Sequence, residues 1–357
     1  MPRKAAARTI EDSSARATRI LEPPELLATA CQYFCGQGMK PAEIKKVLEA
    51  EHGVLISREE VYRLIRIAAS KGWIQFHPEP RYGLERGLKQ RAPWLQEVSV
   101  VPTAVYEGVS QRGAQMLLEM LQQHYRGVDV VHIGFSGGTA LRAMAQRFAE
   151  LLRLPALHLP KRICFHALVT GFDVEEPTTD PNGFFTYFVK DASMEVDTSF
   201  VALHSQAIAD DESQNKLRRL SGIEESYARA RDIDVIVTST TSWQDSHSVL
   251  RHHMELAGDS AERLQNAGCI GDLLWQPIGS QGPLRVKTRL RAMTILQLDD
   301  VADRVEEGRQ VLLVAGPCAR CHRPKSDVVN AILQQERKLV THLVVDSPCA
   351  RAMLATA

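Results

Sequence analysis

The sequence predicts an α/β chain in two parts: a small all-α helix-turn-helix domain, then a doubly wound, mostly parallel α/β domain. Three observations predict it. Residues 39–74, MKPAEIKKVLEAEHGVLISREEVYRLIRIAASKGWI, carry two helical periods separated by a glycine-bearing turn. From Val98 onward, β-branched apolar runs alternate with helical stretches, the pattern of a parallel sheet covered on both faces. Within that region, residues 130–148, VVHIGFSGGTALRAMAQRF, join a strand to a helix through a glycine-rich turn.

A length of 357 residues suits two or three domains, and a hydrophobic fraction of 44% allows a sizeable core. The divisions expected are a basic disordered arm over 1–20, the helix-turn-helix domain over 21–77, a linker or connecting helix over 78–97, and the α/β domain over 98–357. No apolar run reaches the roughly 18 residues of a membrane span. The N-terminus lacks the apolar core of a signal peptide, which places the chain in the cytoplasm. Net charge is zero, yet residues 1–90 hold 15 Lys+Arg against 11 Asp+Glu, a net of +4 balanced by −4 in the remainder. That asymmetry favours a nucleic-acid partner for the N-terminal part.

Each helix of the first domain has its own start and stop signals. ELLATACQYFCG has apolar residues at helical spacing and ends at Gly36. The second helix starts near Pro41, which fits a first helical turn, and stops at Gly53. The third starts after Ser57, with Glu60 completing a capping box. Val61, Leu64, Ile65 and Ala68 form its buried stripe, and Gly72 ends it. Its polar side presents Ser57, Arg58, Glu59, Tyr62, Arg63 and Arg66. Arginine can grip guanine through two hydrogen bonds, and Ser or Tyr can bind phosphate, so this helix is expected to meet double-stranded DNA. A helical pair docking another protein is the plainer alternative. The turn EAEHGVLI is several residues longer than the tightest version of the motif.

In the α/β domain the strands expected are VSVVPTAV, VDVVHIGF, LPALHL, IDVIVTST, RAMTILQL, VLLVAG and HLVVD. After VDVVHIGF, Gly134, Gly137 and Gly138 allow a sharp turn and close approach to a ligand. The following helix aims free N–H groups at the same place, and Ser136 and Thr139 add hydroxyls. This chemistry suits a phosphate, although the loop is neither GxGxxG nor a Walker A sequence. A strand-to-helix turn with no ligand is the alternative. Lys325, near the start of a later helix, would pair with a phosphate. Asp346, at the end of HLVVD, would accept sugar hydroxyls; for each of the two, taken alone, a solvated charge is the commoner reading.

With these segments in place, the chain resembles the SorC/DeoR-type sugar-binding transcriptional regulators from about Leu26 to Leu354. SREEVYRLIRIAASKGWI resembles the family's recognition helix and exit strand, and VDVVHIGFSGGTALRAMA its first phosphate-loop segment. AGCIGDLLWQPIGSQG is similar to its Gly-Asp signature, here Gly271, Asp272 and Gly282. The VLLVAG segment with Lys325, and HLVVD with Asp346, resemble its closing segments. The resemblance implies a sugar-phosphate-isomerase-like effector domain, a phosphorylated-sugar effector, and a homodimer or homotetramer whose grip on an operator depends on the ligand. It implies that Gly138, Thr139 and Lys325 contact phosphate and that Asp272 and Asp346 shape the sugar side. Three departures stand out. The loop reads Ser136-Gly137-Gly138 where the family has Gly-Trp-Gly, its threonine pair becomes Thr139-Ala140, and the closing Thr-Asp-Glu becomes Val345-Asp346-Ser347.

CARCH, residues 318–322, is the remaining motif. Cys318, Cys321 and His322 would supply three zinc ligands, with Cys349 or His342 as a fourth. Haem attachment and a thiol redox switch are alternatives, and a chance match in an inserted loop is the reading adopted. Cys31 and Cys35 are read as buried small apolar residues, and His247, His252 and His253 as a helix surface. The sequence therefore calls for no cofactor and no enzyme. It leaves a sugar-phosphate isomerase or deaminase, and a metal- or redox-sensing regulator, as alternatives.

Overall fold

The computed structural model describes residues 24–70, 74, 81–154, 158–171, 176–256, 258 and 260–355. The basic arm, the helix stop at Gly72 and most of the exit strand Trp73–Phe76 lie outside the described residues. The chain divides into two compact units, one ending at His77 and the other starting at Pro78.

In the first unit, a helix over Pro24–Cys31 runs on into a single wider turn at Gln32–Gly36, followed by helices Pro41–His52 and Arg58–Ser70. Gly53 closes the second helix in the left-handed conformation (φ 66°), which glycine adopts at no steric cost. The capping box of the third helix is present. Ser57 N–H donates to Glu60 Oε2 at 2.5 Å, and Glu60 N–H donates to Ser57 Oγ at 3.2 Å. Leu26, Leu27, Ile44, Leu48, Val61, Leu64 and Ala68 form one buried core. Cys31 is half-buried and Cys35 is exposed, so Cys35 is not the buried apolar residue expected. It lies in the widened turn, off the Leu26–Leu27–Ala30 stripe.

Among the described residues, the second unit has thirteen strands: β1 Glu97–Val101, β2 Val130–Phe135, β3 Arg162–Ala167, β4 Asp197–Val201, β5 Ile208–Ala209, β6 Val235–Thr238, β7 Thr240–Ser242, β8 Cys269–Leu273, β9 Gln276–Gly279, β10 Gly282–Pro283, β11 Arg291–Ala292, β12 Gln310–Ala315 and β13 His342–Asp346. Seven form the central sheet in the order β1-β13-β12-β6-β2-β3-β4, with every pairing parallel. From β2 the chain winds one way, through β3 to β4. From β6 it winds the other way, through β12 to β13. The direction reverses between β2 and β6, which leaves a crevice at their carboxyl ends. Strands β6, β12 and β13 are buried along their whole length, as apolar strands covered on both faces must be.

Two expected strands are corrected. Residues 155–157 of LPALHL lie outside the described residues, and His158 and Leu159 are irregular; the strand is RICFHA, a few residues later. RAMTILQL contributes only Arg291–Ala292, which pairs with β5 in a separate two-stranded ribbon. The segment 177–188 supplies core aromatics: Phe188 stacks on Phe165 with ring centres 4.0 Å apart, and Phe184 meets Phe135 edge-on.

Residues 82–91 of the expected linker form a helix of the second unit. Leu88 is fully buried, Gly87 faces Leu354, and the Arg91 guanidinium donates to the Met353 carbonyl. Among the described residues, no helix is long and apolar enough to cross a membrane.

Candidate functional site

The glycine turn leaves β2 at the reversal point. Ser136 is buried there, its N–H donating to Val237 O at 3.0 Å and its Oγ lying 3.2 Å from Thr238 Oγ1 on neighbouring β6. Gly138, at φ 115°, precedes the helix Thr139–Leu151, and its N–H donates to Thr179 O at 2.9 Å. The next N–H groups, of Thr139, Ala140 and Leu141, precede the first intrahelical bond, Arg142 N–H to Gly138 O. They give this end of the helix its partial positive charge.

A cavity of about 130 Å³ opens here. Ser136, Gly137, Gly138 and Thr139 line it on one side, and Asp272, Lys325 and Cys318 line it from other segments. Six of the eight expected effector residues therefore meet in one place. Gly134 and Asp346 do not line it. Gly134 lies inside β2, where a Cβ would come within 2.5 Å of Leu168 Cδ2, so its role is close packing. Asp346 ends β13, two strands from β6, and one carboxylate oxygen accepts Cys349 N–H at 2.7 Å. Its other oxygen is buried with no partner in the structure. A larger cavity, of about 600 Å³, lies between residues 211–218 and 275–299 and is lined by none of the expected residues; Trp275 borders both cavities.

Asp272 and Lys325 are only 3% and 8% exposed. Burial pushes the Asp272 carboxyl up to about 7, against the pull of the Lys325 ammonium and the Trp275 N–H. Burial likewise pulls the Lys325 ammonium below its ordinary value, against the nearby charges of Cys318, Asp272 and Asp245. Each group is pushed towards its neutral form, so an incoming anion would stabilise the charged lysine.

Sequence reasoning missed several lining residues, among them Tyr106, Glu176, Thr179, Asp245, His247 and Trp275. Trp275 and Leu274 form the two-residue turn between β8 and β9, with φ of 58° and 52°. Such hairpins need positive φ at both central positions, which glycine and asparagine tolerate and bulky residues resist. His247 is not on a helix surface. It precedes the helix Val249–Leu256, half-buried, with Nδ1 3.2 Å from Asp245 Oδ1 and 3.8 Å from Cys318 Sγ. His322 is exposed at φ 56° and stands outside this cluster, as do His342 and Cys349.

In the first unit, Arg58, Glu59, Tyr62, Arg63 and Arg66 are all exposed on the third helix, and Ser57 is partly so. The Arg58 guanidinium lies 6.0 Å from the centre of the Tyr62 ring.

A crevice lined by a helix start, a buried lysine and a buried aspartate lies in the doubly wound domain, which follows the small helical unit in the chain. The family model for the sugar-binding domain (Sugar-bind) matches residues 79–355, and the chain belongs to that family. No curated protein sequence matches the chain. Among solved structures, it resembles the full-length sorbitol operon regulator SorC from Klebsiella pneumoniae, at 17% identity over 93% of this chain and 99% of that one, with a TM-score of 0.63. It also resembles a DeoR family transcriptional regulator from Listeria monocytogenes, at 18% identity over 76% and 98%, with a TM-score of 0.57. A transcriptional regulator from Streptococcus pneumoniae TIGR4 matches at 18% identity over 77% and 97%, with a TM-score of 0.58. These similar structures are of regulators, not enzymes.

Proposed function

We propose that the chain is a DNA-binding transcriptional regulator whose operator affinity is set by a phosphorylated sugar or a closely related metabolite. The observation that carries this reading is the meeting of Lys325 and the Gly138–Thr139 helix start in one cavity. A buried ammonium and a helix N-terminus are the two elements that hold a phosphate. Asp272 supplies an acceptor for sugar hydroxyls on the same wall. In the head, Arg58, Arg63 and Arg66 would contact DNA, with Ser57, Glu59 and Tyr62 beside them.

Control follows from linkage. A ligand that prefers one arrangement of a homodimer or homotetramer shifts the population towards it, and DNA affinity changes by the same coupling free energy. Two heads related by symmetry would read half-sites about one helical turn apart, or at multiples of that spacing.

The test is a thermal-shift series with phosphorylated sugars, their unphosphorylated counterparts and inorganic phosphate. A ligand bound to the folded state alone must raise the melting temperature. A rise confined to phosphorylated compounds, and lost in Lys325→Met, is expected. A rise with unphosphorylated sugars that survives Lys325→Met would remove the phosphate from the proposal.

A further inference from the structure

Two loops leave the carboxyl ends of the neighbouring strands β6 and β12. The first continues through β7 to a tight turn at Asp245–Ser248, where Asp245 N–H donates to Ser242 O at 3.1 Å and Ser248 N–H to Asp245 O at 3.0 Å. The second folds Cys318–Arg323 into a knuckle, with Cys318 N–H donating to Arg323 O at 3.0 Å and His322 N–H to Cys318 O at 2.9 Å. Arg323 ties the knuckle to the first loop by donating to Gln244 O at 2.8 Å, and Arg320 pairs with Glu176 at 2.6 Å.

Four donor atoms converge between these loops. Those of Asp245, His247, Cys318 and Cys321 all lie within 4.8 Å of one another. Cys318 Sγ is 3.8 Å from His247 Nδ1, Cys321 Sγ is 3.6 Å from Asp245 Oδ1, and His247 Nδ1 is 3.2 Å from Asp245 Oδ1. A tetrahedral zinc ion with Zn–S near 2.3 Å and Zn–N or Zn–O near 2.0–2.1 Å requires edges of about 3.3 Å between N and O and about 3.6 Å from S to either. The three separations match those edges to within about 0.2 Å.

We propose that Cys318, Cys321, His247 and Asp245 bind one zinc ion. Two thiolates, one imidazole and one carboxylate fill all four positions, so the ion is structural, with no open site for catalysis. Binding displaces the two thiol protons to solvent and leaves the His247 ring proton on Nε2. The consequence is local. The ion fastens the knuckle to the Asp245–His247 turn and fixes three residues of the cavity wall: Asp245, His247 and Cys318. His322, Cys349 and His342 have no part in it. The inference stands apart from the sugar-phosphate reading, because its readout is the metal.

The experiment is elemental analysis of the reduced, tag-free full chain, followed by replacement of the metal with cobalt(II). About one zinc per chain is expected, with the intense visible bands of tetrahedral cobalt and a thiolate-to-cobalt charge-transfer band. Cys318→Ser/Cys321→Ser should abolish the charge-transfer band. His247→Ala should keep it while weakening cobalt affinity at least about tenfold. Reduced wild-type protein that gives no tetrahedral cobalt spectrum overturns the proposal, and so does cobalt bound without thiolate charge transfer. A Cys318–Cys321 disulfide that accounts for both thiols, with no metal uptake after reduction, overturns it as well. The wild-type spectrum and His247→Ala decide the matter even where the double serine variant fails to fold.

Discussion

The indole of Trp275 occupies the space that a side chain at Gly137 would need. A Cβ on Gly137 would lie 3.1 Å from Trp275 Cζ2 and 2.9 Å from the Thr179 carbonyl oxygen. The Ser136–Gly138 loop lacks a tryptophan of its own, and Trp275 reaches it from the β8–β9 hairpin.

Gly137→Ala should therefore disturb the site directly. The Thr179 backbone must move, and Thr179 O is the acceptor for Gly138 N–H. The expected cost is about 1–3 kcal/mol of stability, as for other overpacking substitutions, together with loss of the thermal shift given by phosphorylated ligands. Urea titration with and without ligand measures both. Unchanged stability and an intact ligand response would mean that the contact is not tight in solution.

The head should respond independently to loss of its cap. Ser57→Ala removes the acceptor for Glu60 N–H and is expected to cost about 1 kcal/mol. Hydrogen exchange should show faster exchange over residues 24–70 and unchanged protection in β2, β6 and β12. Equal losses in both units would show that the head does not unfold on its own.

Arg58→Ala, Arg63→Ala and Arg66→Ala separate two kinds of DNA contact. An arginine on a phosphate should lower affinity for all duplexes alike and reduce the salt slope by about one, whereas an arginine on guanine should cost about 1–3 kcal/mol and relax specificity at one position. Anisotropy titrations at several salt concentrations distinguish the two. If all three variants bind like wild type, the exposed face of the third helix is not the DNA surface.

Acid sensitivity has an identifiable source in two histidines. Burial lowers His342 to about 4, and burial followed by the charges of His132, Arg229 and Arg304 lowers His166 to about 3. Their folded values lie below the unfolded value near 6.5, so the unfolded chain takes up protons first as pH falls. Stability from each is lost as pH drops from about 6.5 towards the folded value, by up to about 1.4 kcal/mol per pH unit for each proton. Asp272 acts in the opposite sense. Its folded value is raised, so its contribution fades as pH rises towards about 7. Comparing His342→Asn with wild type isolates the histidine. The variant should lose less stability between pH 7.0 and 5.5, by urea unfolding; equal losses would mean that His342 titrates alike in the folded and unfolded chains.

The parts written in contiguous residues were legible in the sequence. Ser57 and Glu60 cap a helix through a three-residue spacing, and the glycines after β2 turn a strand into a helix, so both could be read without the fold. β3 was missed because Arg162 and His166 leave only a three-residue apolar run between them, and β4 because DTSFV is a polar edge strand. The zinc ligands illustrate the harder case. CARCH was visible, but Asp245 and His247 lie more than seventy residues earlier in an unremarkable WQDSHS segment. They meet the cysteines only because β6 and β12 are neighbours in the sheet. Trp275 was hidden for the same reason, since nothing local to LLWQ points to the loop at Gly137.

Regulation is decided by the affinity of the full chain for a duplex selected from a random pool, titrated with and without a phosphorylated sugar that raises its melting temperature. A change of at least about fivefold in Kd, the lower end of ordinary allosteric coupling, is expected, with no change in Lys325→Met. An affinity that stays the same while the ligand site is saturated would contradict it, because a ligand binding both states equally cannot regulate.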